Sequence, residues 1–126
     1  MNKLILTSVA CLLSISSHSA LASEQSDGQM VTDSIFCTIY STRLTQTSDS
    51  GLQLQGVNLN ARLNGPVIGR YLINLENAHG RAWIDSYARK GSVAAMQLSQ
   101  SVLYNQAYTR SCEEIAAKIE KTQSRK

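Results

Sequence analysis

The stretch Leu52-Gln-Leu-Gln-Gly56-Val-Asn-Leu-Asn-Ala-Arg-Leu63-Asn-Gly-Pro66 admits two readings, and they lead to different fold classes. Leu52 and Leu54, then Val57, Leu59, Ala61 and Leu63, alternate with polar residues, the period of a half-buried strand. The residue types argue the other way. Leu, Gln, Asn and Ala fill helices or turns more readily than the pleated surface that β-branched and aromatic side chains favour. On that ground residues 52–63 are read as a helix. Asn64-Gly65-Pro66 then ends it and starts the next, with Pro66 in the first turn, where its missing N–H costs nothing. The alternative is a hairpin within residues 52–75 turning at Asn64-Gly65, which would make the chain α+β.

Both flanks read as helical. Towards the C-terminus, Val67, Ile68, Tyr71, Leu72 and Leu75 recur at three-to-four spacing up to Asn77. Ala78-His79-Gly80 kinks this helix or separates it from another, and Trp83, Ile84, Tyr87 and Ala88 continue a helical face to Arg89-Lys90-Gly91, read as a helix end. Ser92 is placed as the cap of a further helix in which Ala94, Leu98, Val102 and Tyr108 share a face, with Met96 and Leu103 beside it. Ser111-Cys112-Glu113-Glu114 has the capping-box pattern and starts the last helix, unless the preceding one runs through. Towards the N-terminus, Ser48-Asp49-Ser50-Gly51 is a turn. Before it, Thr32 or Asp33 caps a helix reaching about Thr47, with Ile35, Phe36, Ile39, Tyr40 and Leu44 on one face. The whole is an all-α compact bundle of four to five short helices. Its expected core is Ile35, Phe36, Ile39, Tyr40, Tyr71, Leu72, Leu75, Trp83, Ile84, Leu98, Val102, Ile115 and Ile119.

A length of 126 residues fits a single domain. Twelve Lys and Arg against nine Asp and Glu leave a net charge of +3, too weak for a dedicated polyanion binder, so no nucleic-acid partner is expected. A hydrophobic fraction of 43% argues against disorder, and a single Pro excludes Pro-rich linkers. The first 22 residues read as a secretory signal peptide: Lys3 supplies the positive start, Leu4 to Ile15 an apolar stretch too short to span a bilayer comfortably, and Ala20-Leu21-Ala22 the small residues before cleavage at Ser23. Cys11 lies inside the apolar stretch rather than after it, which disfavours a lipoprotein. Residues 23–30 then read as a flexible arm, 31–122 as one helical domain and 123–126 as a basic tail. The expected location is periplasmic or secreted, with no membrane contact after leader removal.

Beyond the leader two cysteines remain, Cys37 and Cys112. In an exported chain they permit one intramolecular bridge, which would tie the first helix to the last; the rival is a pair of buried free thiols. Such a bridge closes a loop of roughly 75 residues and stabilises by about 4 kcal/mol in the chain-entropy model.

The residues that would carry chemistry are sparse. Zinc needs three or four ligands, and c-type haem needs Cys-x-x-Cys-His; neither set occurs. A haem held through His79 and Met30 or Met96 is possible in a bundle, but a solitary histidine is ordinarily a surface or hydrogen-bonded residue. No phosphate-binding glycine pattern or Gly-x-Ser-x-Gly elbow is present. Glu76 and Asp85 stand too far apart on a helix to make an obvious carboxylate pair and read as solvated charges. We therefore expect a non-enzymatic protein with no cofactor and no metal. The residue types that dominate protein interfaces gather in Arg81, Trp83, Tyr87 and Arg89, although Trp83 and Tyr87 equally suit a core. A second candidate is the apolar pair Val67-Ile68, bracketed by Gly65 and Gly69, either projecting into a partner's cleft or burying a first helical turn.

With its leader, Cys37 in the first helix and Cys112 within Arg110-Ser-Cys-Glu-Glu-Ile near the start of the last, the chain resembles the small periplasmic helical immunity proteins of type VI secretion systems. That resemblance implies a helical, often dimeric inhibitor that inserts a loop into a peptidoglycan hydrolase. No inhibitory residue carries over. Periplasmic acid-stress chaperones and secretion accessory proteins share the same outline.

Overall fold

The computed structural model describes the backbone of residues 19–124 and the side chains of residues 27–124. Most of the leader and the last two residues of the expected basic tail lie outside them. Within the described residues the fold is all-α, as the residue types of the ambiguous stretch required. The elements are α1 (Ser19–Thr45), α2 (Ser50–Leu63), α3 (Pro66–His79), α4 (Arg81–Met96), a 3-10 turn (Gln100–Tyr104) and α5 (Gln106–Ser124).

Residues 52–63 form α2, and the hairpin alternative is gone. Leu52, Gly56, Leu59 and Leu63 are buried at spacings of four, three and four, while Leu54, Val57 and Ala61 face solvent. The strand-like alternation arises because every second residue of a two-faced helix is apolar by coincidence; only the three-to-four subset meets the core. Asp49 starts the helix, its Oδ1 accepting from the Leu52 N–H at 3.0 Å. Gly65 precedes Pro66, which opens α3. Gly80 divides α3 from α4 in a left-handed conformation, φ +99°, that a side chain would strain.

The N-terminal helix is longer than its sequence signals. α1 begins at Ser19 and takes in residues 23–30, which correct from an arm to helix. Its deepest stripe is also rotated from the expected face. Val31, Ser34, Cys37, Tyr40, Ser41 and Leu44 are buried, whereas Ile35, Phe36 and Ile39 are only half-buried. The cause is position. α1 is the axis of the bundle, packed most extensively against α4 on one side and α2 on the other. The points of closest approach need small side chains. The Ser34 and Ser41 hydroxyls donate back to the carbonyls of Val31 and Thr38 and so enter the interior with their polar atoms satisfied.

Two glycines set the spacing on either side of α1. A Cβ on Gly56 would lie 2.7 Å from Leu44 Cβ and 2.8 Å from the Ser41 carbonyl oxygen. A Cβ on Gly91 would collide with the Thr32 carbonyl. Gly91 is thus an interior residue of α4 pressed against the α1 backbone, not a helix end. α4 runs on to Met96, and the cap expected at Ser92 corrects to helix interior. The long helix expected from there is interrupted by the 3-10 turn, and α5 starts at Gln106, where Asn105 Oδ1 accepts from the Ala107 N–H at 2.9 Å. The Ser111–Glu114 box therefore sits inside a helix, and the tail reading at 123–124 corrects to the last turn of α5. Arg43 of α1 closes α4: its Nη1 donates to the carbonyls of Ala95 at 3.2 Å and Leu98 at 2.8 Å.

α5 returns along α1 and α3, and the bridge Cys37–Cys112 joins it to α1, with Cα atoms 5.5 Å apart. Of the expected core, Tyr40, Tyr71, Leu75 and Ile119 are buried; Leu72, Trp83, Ile84, Leu98 and Ile115 pack against them half-buried, and Val102 is half-buried too. The interior also uses Leu44 and Ile68, which the sequence placed on apolar helix faces but not in the expected core, and Met30, Val31, Leu52, Leu59, Leu63 and Leu103.

Candidate functional site

The expected contact residues divide between surface and interior. Ile68 is fully buried in the first turn of α3 and Val67 keeps partial exposure, so the pair is corrected as a displayed tip and follows the other reading, a first helical turn turned to the core. Arg81, Trp83, Tyr87 and Arg89 lie along α4 and do reach solvent.

Trp83 and Tyr87 are neither core nor free. His79, the last residue of α3, stacks on the Trp83 ring with centroids 4.0 Å apart and 18° between planes. Tyr87 follows one turn later at 5.0 Å and 59°. Its ring lies over Gly28 of α1, where any side chain would strike it, and the Lys90 ammonium sits 4.9 Å above the same ring. Thr32 locks this turn of α4 by donating to the Tyr87 carbonyl at 2.8 Å. The result is a ladder of half-buried aromatics held rigidly from below. Rigid amphipathic anchors contribute binding area with little loss of rotamer freedom.

Charge borders the ladder unevenly. Arg81 pairs with Glu76 across the α3–α4 corner at 2.6 Å, which also takes Glu76 away from any carboxylate pair with Asp85. Arg89 and Lys90 form no ion pair among the described residues. They line a shallow groove of about 580 Å³ on the outer face of α4 with Ser86, Val93, Ala94 and Gln97, and no carboxylate contributes to it. Val93 and the neighbouring Met96 are exposed there.

A more enclosed cleft of about 400 Å³ opens between α1 and α5 over the disulfide. Asp33 and Phe36 come from α1, and Tyr108, Ser111, Glu114, Ile115 and Lys118 from α5. The Phe36 and Tyr108 rings face one another at 6.1 Å and 26°. None of the seven was expected to form a site. One signal pointed to them: Asp33 and Phe36 stand four and one residues before Cys37, as Tyr108 and Ser111 do before Cys112. On two bridged helices those positions flank the sulfur atoms.

Buried tyrosines mark the interior behind both surfaces. Burial raises the Tyr40 hydroxyl above its ordinary pKa, and the hydroxyl is satisfied by Thr109 Oγ1 at 3.0 Å. Burial, with the charge of Asp27 next, raises Tyr71 strongly; its hydroxyl donates to Asp27 Oδ1 at 3.4 Å. Arg62 of α2 and Glu120 of α5 form a two-pronged pair at 3.2 and 2.8 Å, which holds Glu120 below and Arg62 above their ordinary ranges.

Among the described residues no three His, Cys, Asp or Glu side chains gather as a metal site would require. His79 ends α3 and Met96 ends α4, so the full 16-residue length of α4 lies between them. No described helix is long and apolar enough to cross a membrane. Neither a protein-family model, nor a curated protein, nor a solved structure matches this chain.

Proposed function

We propose that this is an exported, non-catalytic protein that binds another protein through the outer face of α4. The carrying observation is the braced ladder Trp83–Tyr87 beside Arg89 and Lys90, which have no ion-pair partner among the described residues. Aromatic and arginine side chains of this kind concentrate binding energy when a partner excludes water from them. A groove lined by two cations and no carboxylate favours an acidic partner surface. The disulfide supports an oxidising compartment, in keeping with the leader read at residues 1–22. In its finer form the proposal is a periplasmic immunity protein that inhibits an exported cell-wall hydrolase effector.

The test is inhibition of a purified peptidoglycan hydrolase encoded beside this chain's gene. Stoichiometric inhibition is expected. Trp83→Ala should weaken the complex by about 30-fold, the scale of an interface anchor. Arg89→Glu should slow association, most strongly at low salt. Absence of inhibition, or folded variants that bind unchanged, would remove the proposal. A holdase-type stress chaperone is the second reading, favoured by the exposed Leu54, Val57 and Ile73. It requires suppression of client aggregation at low pH; an inactive protein there rejects it.

A further inference from the structure

The cleft over the disulfide lies away from the α4 surface, and its chemistry differs. Its volume of about 400 Å³ falls within the range of small-molecule and side-chain pockets. The walls are apolar and aromatic, from Phe36, Tyr108 and Ile115, with the Cys37–Cys112 bridge among the lining. The rim carries two carboxylates, Asp33 and Glu114, and neither is ion-paired among the described residues. Asp33 Oδ1 accepts one hydrogen bond, from Gln29 Nε2 at 2.9 Å. Lys118 stands one turn beyond Glu114 on α5, at a spacing where the two could pair, yet they do not. Aromatic faces attract cations, and the attraction grows as the cation is desolvated. An anion would meet both carboxylates at the mouth, and a neutral apolar molecule would leave them unanswered.

We propose that this cleft binds an organic cation, an ammonium or guanidinium carried on an apolar stem. The charge sits between Asp33 and Glu114 and the stem lies against Phe36 and Tyr108. Two sources supply that chemistry: a free amine or amidine, and a lysine or arginine side chain of a partner protein. In both cases the Lys118 ammonium, which also lines the cleft, opposes binding by like-charge repulsion.

Amide-resolved NMR titration of the oxidised protein tests this. The probes are benzamidinium, its neutral counterpart benzamide, and acetyl-Ala-Arg-Ala-amide beside acetyl-Ala-Ala-Ala-amide. Saturable shifts centred on Asp33, Phe36, Tyr108 and Ile115 are expected with at least one cationic probe and with neither neutral one. A response to benzamidinium alone marks a free organic cation, and a response to the arginine peptide marks a side-chain source. Asp33→Asn combined with Glu114→Gln should weaken binding by at least about fivefold, the scale of partly exposed charge pairs. Lys118→Ala should tighten it. These positions lie on the cleft rim, and retention of helical circular dichroism checks that each variant folds. The proposal falls if neither cation binds saturably, if the neutral probes bind as well, or if Lys118→Ala weakens binding.

Discussion

Gly91 and Gly69 are both helical glycines, and the fold treats them oppositely. A methyl group on Gly91 would strike the Thr32 carbonyl, an atom of the α1 backbone that moves only if the helices separate. Gly69 has nothing within 4 Å of the same position. Gly91→Ala should therefore cost about 3 kcal/mol, the upper end of ordinary overpacking. Gly69→Ala should leave stability unchanged or raise it by about 0.5 kcal/mol, through helix propensity and a less free unfolded chain. Paired urea titrations at one temperature check both. The Arg62–Glu120 pair makes a pH statement. Because Arg62 lowers the folded-state pKa of Glu120, its contribution is fully present above the ordinary glutamate range and disappears as pH falls through the lowered folded value. Both side chains are more than a third exposed, 39% and 36%, so solvent screens the pair to under about 1 kcal/mol. Glu120→Gln should lower stability slightly at neutral pH and match the parent in strong acid, as denaturation midpoints across pH will reveal.

At the scale of elements, much was legible and the misses share a cause. Local chemistry identified α2 from its residue types and the α2–α3 break from Asn64-Gly65-Pro66, and it left Ala78-His79-Gly80 open between a kink and the α3–α4 division that Gly80 makes. It failed where tertiary contact overrides a local signal. Arg89-Lys90-Gly91 has the residues of a helix end, but Gly91 is there because α4 must approach α1. The polar run before Val31 lacks apolar periodicity, yet α1 extends through it, with Gly28 lying under the Tyr87 ring. Arg43 is another interaction between elements that no local pattern shows. It supplies positive charge and two hydrogen bonds to carbonyls at the C-terminal end of α4, where the helix dipole is negative. Arg43→Ala should cost about 2 kcal/mol, as expected for hydrogen bonds to a charged donor in a partly buried setting. Hydrogen exchange should rise first in residues 93–98. Uniform exchange across the bundle would contradict a role local to α4.

For the whole molecule, the bridge between Cys37 and Cys112 joins positions 75 residues apart, the single intramolecular pairing that the cysteine count permits beyond the leader. The α4 surface was partly legible because Trp83, Tyr87 and Arg89 are interface residue types close in sequence. The cleft was not, because its lining comes from two segments that only the folded chain joins. One disulfide holds α5 against α1 beside the cleft, and we propose that the domain it closes is exported and offers its α4 face to a partner. Non-reducing intact mass spectrometry of the protein recovered from the producing cells, with alkylation of any free thiol, tests this most directly. We expect a chain beginning at Ser23, lighter by two hydrogens than its reduced form and unmodified by the alkylating reagent. A chain beginning at Met1, or one alkylated at both Cys37 and Cys112, would contradict the claim.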